Sequence, residues 1–393
     1  MTPTDFPIKC EQSFLYLSFI FTSLYVLHCS VLQRFLLGHE QVHIKKSADL
    51  PLRFRSDGTF KILQVSDMHF GNGAATRCRD VLPSEFGSCS DLNTTRFVRR
   101  LIEAERPDFI AFTGDNIFGQ TSVDAAESMF RAFTPAMESK LPWAAILGNH
   151  DQESTMTREE LMSFISLMDY SISEINPPAE KGIHGFGNYH LQVHGVLGSS
   201  LANSSVLNLF FLDSGDREVV NGRRTYGWIR ESQLCWLQGL SQKLQDQRLD
   251  LDRKSTDSLT PALAFFHIPI PEIWDLWYKK FIGQFQEAVA CSSVNSGVLR
   301  AFVSTGDIKA AFMGHDHKND FCGNLNGIWF CYGGGSGYHG YGMAGWPRRA
   351  RVIQAELEQK YREWTGVKRI STWKRLDNER LSVIDDQVLW ELQ

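Results

Sequence analysis

The chain carries no large excess of charge of either sign: 40 Lys and Arg stand against 45 Asp and Glu in 393 residues, a net charge of -5. That balance removes any global electrostatic pull toward nucleic acid or acidic lipid. Internal repeats are absent and no linker divides residues 50–393, so one two-sheet domain is the simplest organisation. Charged side chains are missing altogether from Ser13 to Gln33, and Phe14–Leu27 is largely apolar, as in the core of a signal peptide. The flanks are poor for that role, because Asp5 and Glu11 offset Lys9 and no small-x-small cleavage site surrounds His28, Cys29 and Ser30. An uncleaved signal anchor is the alternative, since the uncharged stretch approaches the ~20 residues that span a bilayer. The expected division is a signal peptide or signal anchor at 1–35, a linker at 36–50 and a single domain at 51–393.

Two sequons, Asn93-Thr94-Thr95 and Asn203-Ser204-Ser205, are candidate glycosylation sites and point to the secretory pathway, with a secreted or vacuolar destination. Of eight cysteines, Cys10 and Cys29 lie in the leader, and the even remainder permits disulfides. If Asn326-Gly327 forms a two-residue turn, Leu325 and Ile328 face each other, and three steps outward bring Cys322 opposite Cys331. That pair is non-hydrogen-bonded, with Cα atoms ~4.5 Å apart, which is within disulfide reach. Cys78 and Cys89 could staple the Gly/Ser-rich loop between them.

Along the chain, Leu52–Phe54 and Phe60–Val65 flank Ser56-Asp57-Gly58-Thr59 and predict a hairpin opening the domain. Beyond a loop from Gly71 to Asp91, helices at 95–105, 123–137 and 158–168 alternate with strands at 108–113 and 143–147, which implies parallel strands joined by crossover helices. Strands at 189–193 and 206–212, an amphipathic helix at 232–245, a charged loop at 247–258 and strands at 263–266 and 310–313 follow. The hairpin-rich remainder includes a glycine-rich segment, Gly333–Gly342, whose backbone is expected to pass close to something bulky or anionic.

Five blocks of metal-binding residue types follow these apolar runs: Asp67-Met68-His69, Gly114-Asp115-Asn116, Gly148-Asn149-His150-Asp151, His267, and Gly314-His315-Asp316-His317. A position just past a strand places each on a loop at the carboxyl edge of a sheet, where open α/β folds put their chemistry. Asp67 and His69 can turn toward one ion, Asp115 can bridge two with its two oxygens, and Asn149, His267, His315 and His317 add neutral oxygen and nitrogen. Such mixed donors suit Fe, Zn or Mn rather than Ca. Each block alone is more often a turn or a core histidine; all five in order, each behind a strand, are not.

On these blocks the chain resembles the calcineurin-like metallophosphoesterases, whose ordered signature is D-x-H, G-D, G-N-H-[DE], H and G-H-x-H. The segments His267-Ile268-Pro269-Ile270-Pro271-Glu272, Cys331-Tyr332-Gly333-Gly334-Gly335 and Tyr226-Gly227-Trp228-Ile229 resemble the small plant purple acid phosphatases, some of which carry the label "probable inactive". The resemblance implies a four-layer α/β/β/α sandwich of two mixed sheets. It implies two ions, Fe and Zn or Mn, one held by Asp67, His69, Asp115 and His317 and the other by Asp115, Asn149, His267 and His315. A metal-bound hydroxide would attack phosphorus while His150 assists the leaving group, on a small phosphorylated monoester. Phosphodiesterase action on nucleotides or phospholipid headgroups, and a catalytically weak scaffold of the same fold, are the alternatives. Nucleic acid is not an expected partner, and a membrane is one only through an uncleaved anchor. Two departures matter: Phe118 stands where purple enzymes place a tyrosinate ligand, and His69 stands where they lack histidine, so a complete but colourless site is expected. Asn149 and His150 are also expected to touch substrate. Tyr338 and His339 are candidates to line the pocket, and Asp151, Asp213 and Glu272 to orient histidines, though each carboxylate equally fits a surface or strand-end role.

Overall fold

A computed structural model describes residues 7–28, 45–178, 180, 182–251 and 259–392. The chain divides into two compact units, Met1–Ile44 and Lys45–Gln393. In the first, the described element is helix α1 (Pro7–Leu27). No helix among the described residues is long and apolar enough to cross a membrane. The rest of the expected leader and linker, residues 1–6 and 29–44, lies outside the described residues.

The second unit begins with β1 (Leu52–Arg53) and β2 (Thr59–Val65), then alternates α2 (Asp91–Glu105), β3 (Phe109–Thr113), α3 (Ala125–Ser139), β4 (Trp143–Ile146) and α4 (Arg158–Ser166). Next come β5 (Tyr189–His194), β6 (Ser205–Phe211), a hairpin of β7 (Arg217–Val220) and β8 (Arg223–Tyr226), α5 (Glu231–Leu251), β9 (Ala262–Phe265), β10 (Phe281–Ile282) and α6 (Val298–Thr305). The chain ends with β11 (Ile308–Met313), a hairpin of β12 (Cys322–Leu325) and β13 (Ile328–Tyr332), and long strands β14 (Arg349–Lys360), β15 (Glu363–Leu376) and β16 (Val383–Glu391).

These strands form two mixed sheets, ordered β1-β5-β6-β9-β11-β13-β12-β10 and β16-β15-β14-β2-β3-β4, with β7-β8 apart. The sheets meet face to face, Phe109 of β3 against Phe211 of β6 at 6.2 Å between ring centroids. Helices α2, α3 and α4 cover one outer face, and α5 with α6 covers the other through β11 and β13. The molecule is thus the expected four-layer α/β/β/α sandwich. Strands β3, β4 and β9 are buried at every position, because helix lies on one face and sheet on the other.

Parallel pairing aligns β2, β3 and β4 in one sheet and β6, β9, β11 and β13 in the other, so all their carboxyl ends open on one edge. Three local expectations need correction. β1 pairs in parallel with β5, while β2 pairs in parallel with β3 and antiparallel with β14, so Leu52–Val65 passes from one sheet to the other instead of forming a hairpin. Helix α2 starts four residues earlier than expected, where the Asn93 side-chain oxygen accepts from Ser90 N (3.3 Å). The Asn93 side chain thus takes part in capping α2, with Thr95 buried, whereas Asn203 lies in an exposed turn. Helix α5 runs on to Leu251, replacing the first part of the expected charged loop; residues 252–258 lie outside the described set.

Disulfides join Cys322 to Cys331, cross-strand partners with Cα atoms 4.1 Å apart, and Cys78 to Cys89.

Candidate metal centre

The five blocks converge at the shared carboxyl edge. Asp67 and His69 follow β2, Asp115 follows β3, Asn149 and His150 follow β4, His267 follows β9, and His315 and His317 follow β11. Turning the chain inward so abruptly forces Asp67, His69, Asp115 and His315 to positive φ (55°, 45°, 49° and 79°), backbone that non-glycine residues seldom adopt. The glycine of the third block has a steric role: a Cβ on Gly148 would strike the Asp115 carboxylate. The glycine-rich segment after β13 explains itself likewise. A Cβ on Gly337 would strike the Met68 carbonyl, and one on Gly340 would come within 2.8 Å of the His317 ring.

Donor atoms crowd together. His69 Nε2 lies 2.9 Å from His317 Nε2 and 3.4 Å from Asp115 Oδ2; His267 Nε2 lies 3.2 Å from the same Asp115 oxygen; His317 Nε2 lies 3.5 Å from Asp67 Oδ1. Ligands held at ~2.1 Å from one ion stand about 3.0–3.4 Å apart at octahedral or tetrahedral angles, so these separations are those of shared coordination spheres. Two groups emerge, Asp67-His69-His317 and Asp115-His267-His315, with Asp115 also close to His69 and His150. All seven candidate ligands are 0–7% exposed.

The fit to two cations rests on unused donors. Asn149 Oδ1, His267 Nε2 and His315 Nε2 are buried without a hydrogen-bond partner, a costly state unless something else fills it. The opposite ring nitrogens of two histidines are already committed: His267 Nδ1 to Thr113 O (2.9 Å) and His317 Nδ1 to Tyr341 O (2.8 Å). A carbonyl can only accept, so both Nδ1 atoms carry the proton and both Nε2 lone pairs face inward.

The electrostatics tell the same story. Burial pushes the Asp67 carboxyl up to about 7 and the His317 imidazole down to about 3. Burial and neighbouring imidazoles drive His69 and His315 well below their ordinary range. Burial would also raise Asp115 and lower His267, but their mutual attraction outweighs it, holding the carboxyl well below its usual value and lifting the imidazole to about 9. Asp115 thus calls for positive charge at His267 Nε2, and a proton and a cation compete for that one lone pair.

His150 sits at the rim. Its Nδ1 meets Glu153 Oε2 (2.7 Å) and its backbone N–H donates to Asp115 Oδ1 (2.7 Å). Phe118 packs against the rings of His69 and His150, at 5.5 and 4.8 Å between centroids.

Other expected residues fall elsewhere. His339 reaches the wall, its ring 5.5 Å from Phe118, with Nδ1 on Arg77 O (2.8 Å). Tyr338 turns aside, its hydroxyl donating to Asp377 (2.6 Å). Asp151 orients no histidine; it accepts from Ile117 N (2.9 Å) and Gly148 N (2.7 Å), tying the second and third blocks together. Asp213 pairs with Arg158 and accepts from Phe186 N (2.8 Å) and Gly215 N (2.9 Å). Glu272 has one buried oxygen without a partner and no described bond to a histidine. The carboxylate that does hold His150 is Glu153, which the sequence hid among the polar residues after Asp151.

A family model for calcineurin-like phosphoesterase matches residues 60–319, spanning every candidate ligand from Asp67 to His317. The chain belongs to the calcineurin-like phosphoesterase family. Within it the chain is similar to "Probable inactive purple acid phosphatase 28" of Arabidopsis thaliana, with 61% identity over 97% of this chain and 96% of that one. It is also similar to "Probable inactive purple acid phosphatase 29" of the same plant, at 53% identity over 86% and 88%. Among solved structures, a dimetal phosphatase from Danio rerio shares the fold, with a TM-score of 0.52 and 14% identity over 85% of this chain and 99% of that one.

Proposed function

We propose that this phosphoesterase-family protein is a working dinuclear hydrolase of phosphate esters, with phosphomonoesters as its preferred substrates. The observation that carries the reading is the pair of buried donors His267 Nε2 and His315 Nε2, without a hydrogen-bond partner and grouped with the carboxylate of Asp115, together with the buried, unpartnered Asn149 Oδ1 on the neighbouring block. Asp67, His69, His317 and Asp115 would hold one ion, and Asp115, Asn149, His267 and His315 the other, the donor set suiting Fe with Zn or Mn. Bound there, such a pair supplies Lewis acidity toward phosphoryl oxygens and activates water.

The chain's own contribution is positional. Glu153 and the Asp115 contact to its backbone hold His150 at the rim of the centre, where its imidazole would give a hydrogen bond to the leaving oxygen. Phe118 and His339 form an apolar-edged wall beside it. The word "inactive" in the relatives' names is said of those proteins. Here the residue missing against purple enzymes is a tyrosinate at Phe118, and His69 restores a fourth donor to that ion. The two disulfides support an oxidising compartment, and Asn203 is the accessible glycosylation site.

The test is purified, metal-loaded protein assayed on an aryl phosphate beside His150→Ala. Turnover in the wild type that falls about 100-fold or more in the variant, with metal content unchanged, is expected. Two bound metals without hydrolysis would end the enzyme reading.

A further inference from the structure

The hairpin of β7 and β8, which no sequence block announced, sends two side chains to the centre. Arg217 and Tyr226 are cross-strand partners, so both stand on one face of the ribbon. The Tyr226 ring meets His315 edge-on at 4.4 Å between centroids. Arg217 reaches the third block: its Nη1 donates to Asn149 O (2.9 Å) and Glu153 Oε1 (2.7 Å) and lies 3.3 Å from Asp216 Oδ1. Its Nη2 meets His150 Nε2 at 3.3 Å.

The division of labour within this guanidinium is informative. Nη1 is anchored by carbonyl and carboxylate oxygens, while the contact found for Nη2 is another nitrogen. Because Nδ1 of His150 faces a carboxylate and carries the ring proton, its Nε2 accepts from one of the two Nη2 hydrogens. The other Nη2 hydrogen has no partner among the described residues, so a phosphoryl oxygen can lie ~2.9 Å from it at the rim of the metal centre. Glu153 sets the spacing, since one of its oxygens holds His150 and the other holds Arg217. The Arg217 side chain remains 42% exposed, so a ligand can reach it.

We propose that Arg217, standing beside His150, binds a terminal phosphoryl oxygen of the substrate, and that this contact favours phosphomonoesters over diesters. The proposal rests on the hydrolase reading above. A monoester offers three terminal oxygens and a second negative charge; a diester has one of those oxygens esterified and only one charge. A fixed guanidinium beyond the ions therefore rewards the oxygen that only the monoester has free.

The experiment uses metal-loaded full-length wild type, Arg217→Gln, Arg217→Lys and, as a control on the same hairpin, Arg224→Gln. Inorganic phosphate is titrated calorimetrically, kcat and KM are measured on 4-nitrophenyl phosphate and bis(4-nitrophenyl) phosphate, and metal content is determined for each. Arg217→Gln is expected to weaken phosphate binding and raise the monoester KM about 10- to 100-fold, with kcat/KM on the diester within about threefold of wild type. Arg217→Lys should recover part of the loss, and Arg224→Gln should match wild type. Phosphate affinity in Arg217→Gln within about threefold of wild type overturns the proposal, as does an equal loss on both esters or a wild type that does not bind phosphate. Should the wild type bind phosphate but cleave neither ester, the hydrolase reading falls while the titration still decides the role of Arg217.

Discussion

Replacing Asp320 with Asn should be among the most damaging single changes away from the metal centre. Asp320 follows the last ligand block, where the chain turns from β11 toward β12, and its oxygens meet Lys374 Nζ (2.7 Å) and Arg349 Nη1 (2.6 Å). Its carbonyl also accepts from Arg351 Nη2 (2.8 Å) and Lys374 Nζ (2.9 Å). The cations come from β14 and β15 of the other sheet, so this carboxylate ties the two sheets together behind the site. Side chains of Asp320 and Lys374 are 0% exposed and that of Arg349 2%. Among the described residues one other carboxylate, Asp385, reaches Lys374 (2.6 Å), so Asp320→Asn leaves three buried cations facing one anion. Breaking a buried charge cluster by removing one partner costs ~3–5 kcal/mol, roughly a 5 °C fall in Tm for a domain of this size. Urea unfolding of wild type and variant, with unchanged m-value, measures it directly. The acid limb adds a second reading. Burial alone would raise the Asp320 carboxyl, but Lys374 and Arg349 overcome it and hold it below the ordinary carboxylate range. A depressed folded-state value means stability that is present at neutral pH and lost as pH falls through that value, and the variant should lack this part of the acid limb. A destabilisation under ~1 kcal/mol would refute the reasoning.

Gly337→Ala should cost about 1–3 kcal/mol and reduce metal affinity, because the new Cβ meets the Met68 carbonyl and lies 2.7 Å from that of Asp67; Gly239→Ala, in α5 with open space around it, should be neutral or slightly stabilising by thermal melt. Iron-loaded protein should show no visible tyrosinate band, since Phe118 cannot ligate; a strong band in the absorption spectrum would contradict the assignment. Non-reducing peptide mapping should recover Cys78–Cys89 and Cys322–Cys331 as linked pairs while exposed Cys235 takes an alkylating reagent, and exchanged pairings would be inconsistent with the fold.

The strand-end blocks were legible because parallel strands put every carboxyl end on one edge, so order along the chain becomes proximity in space. Sheet membership was not legible. Leu52–Phe54 and Phe60–Val65 look like hairpin arms because an apolar run reports burial and not the partner that buries it. The same limit hid the supporting groups. Glu153 lies three residues past His150 on a turn, and Arg217 arrives on a short ribbon whose sequence, Arg-Glu-Val-Val, carries no chemical signature. Asp151 and Asp213 had the right residue type, but their lone pairs went to backbone N–H groups that loops at a crowded edge must satisfy.

Metal stoichiometry tests the central claim most directly. The account predicts two ions per chain by mass spectrometry of dialysed, reconstituted protein, falling to one in His267→Ala while the site of Asp67, His69 and His317 stays filled. A wild type that binds one ion or none, or a His267→Ala variant that still holds two, would contradict it.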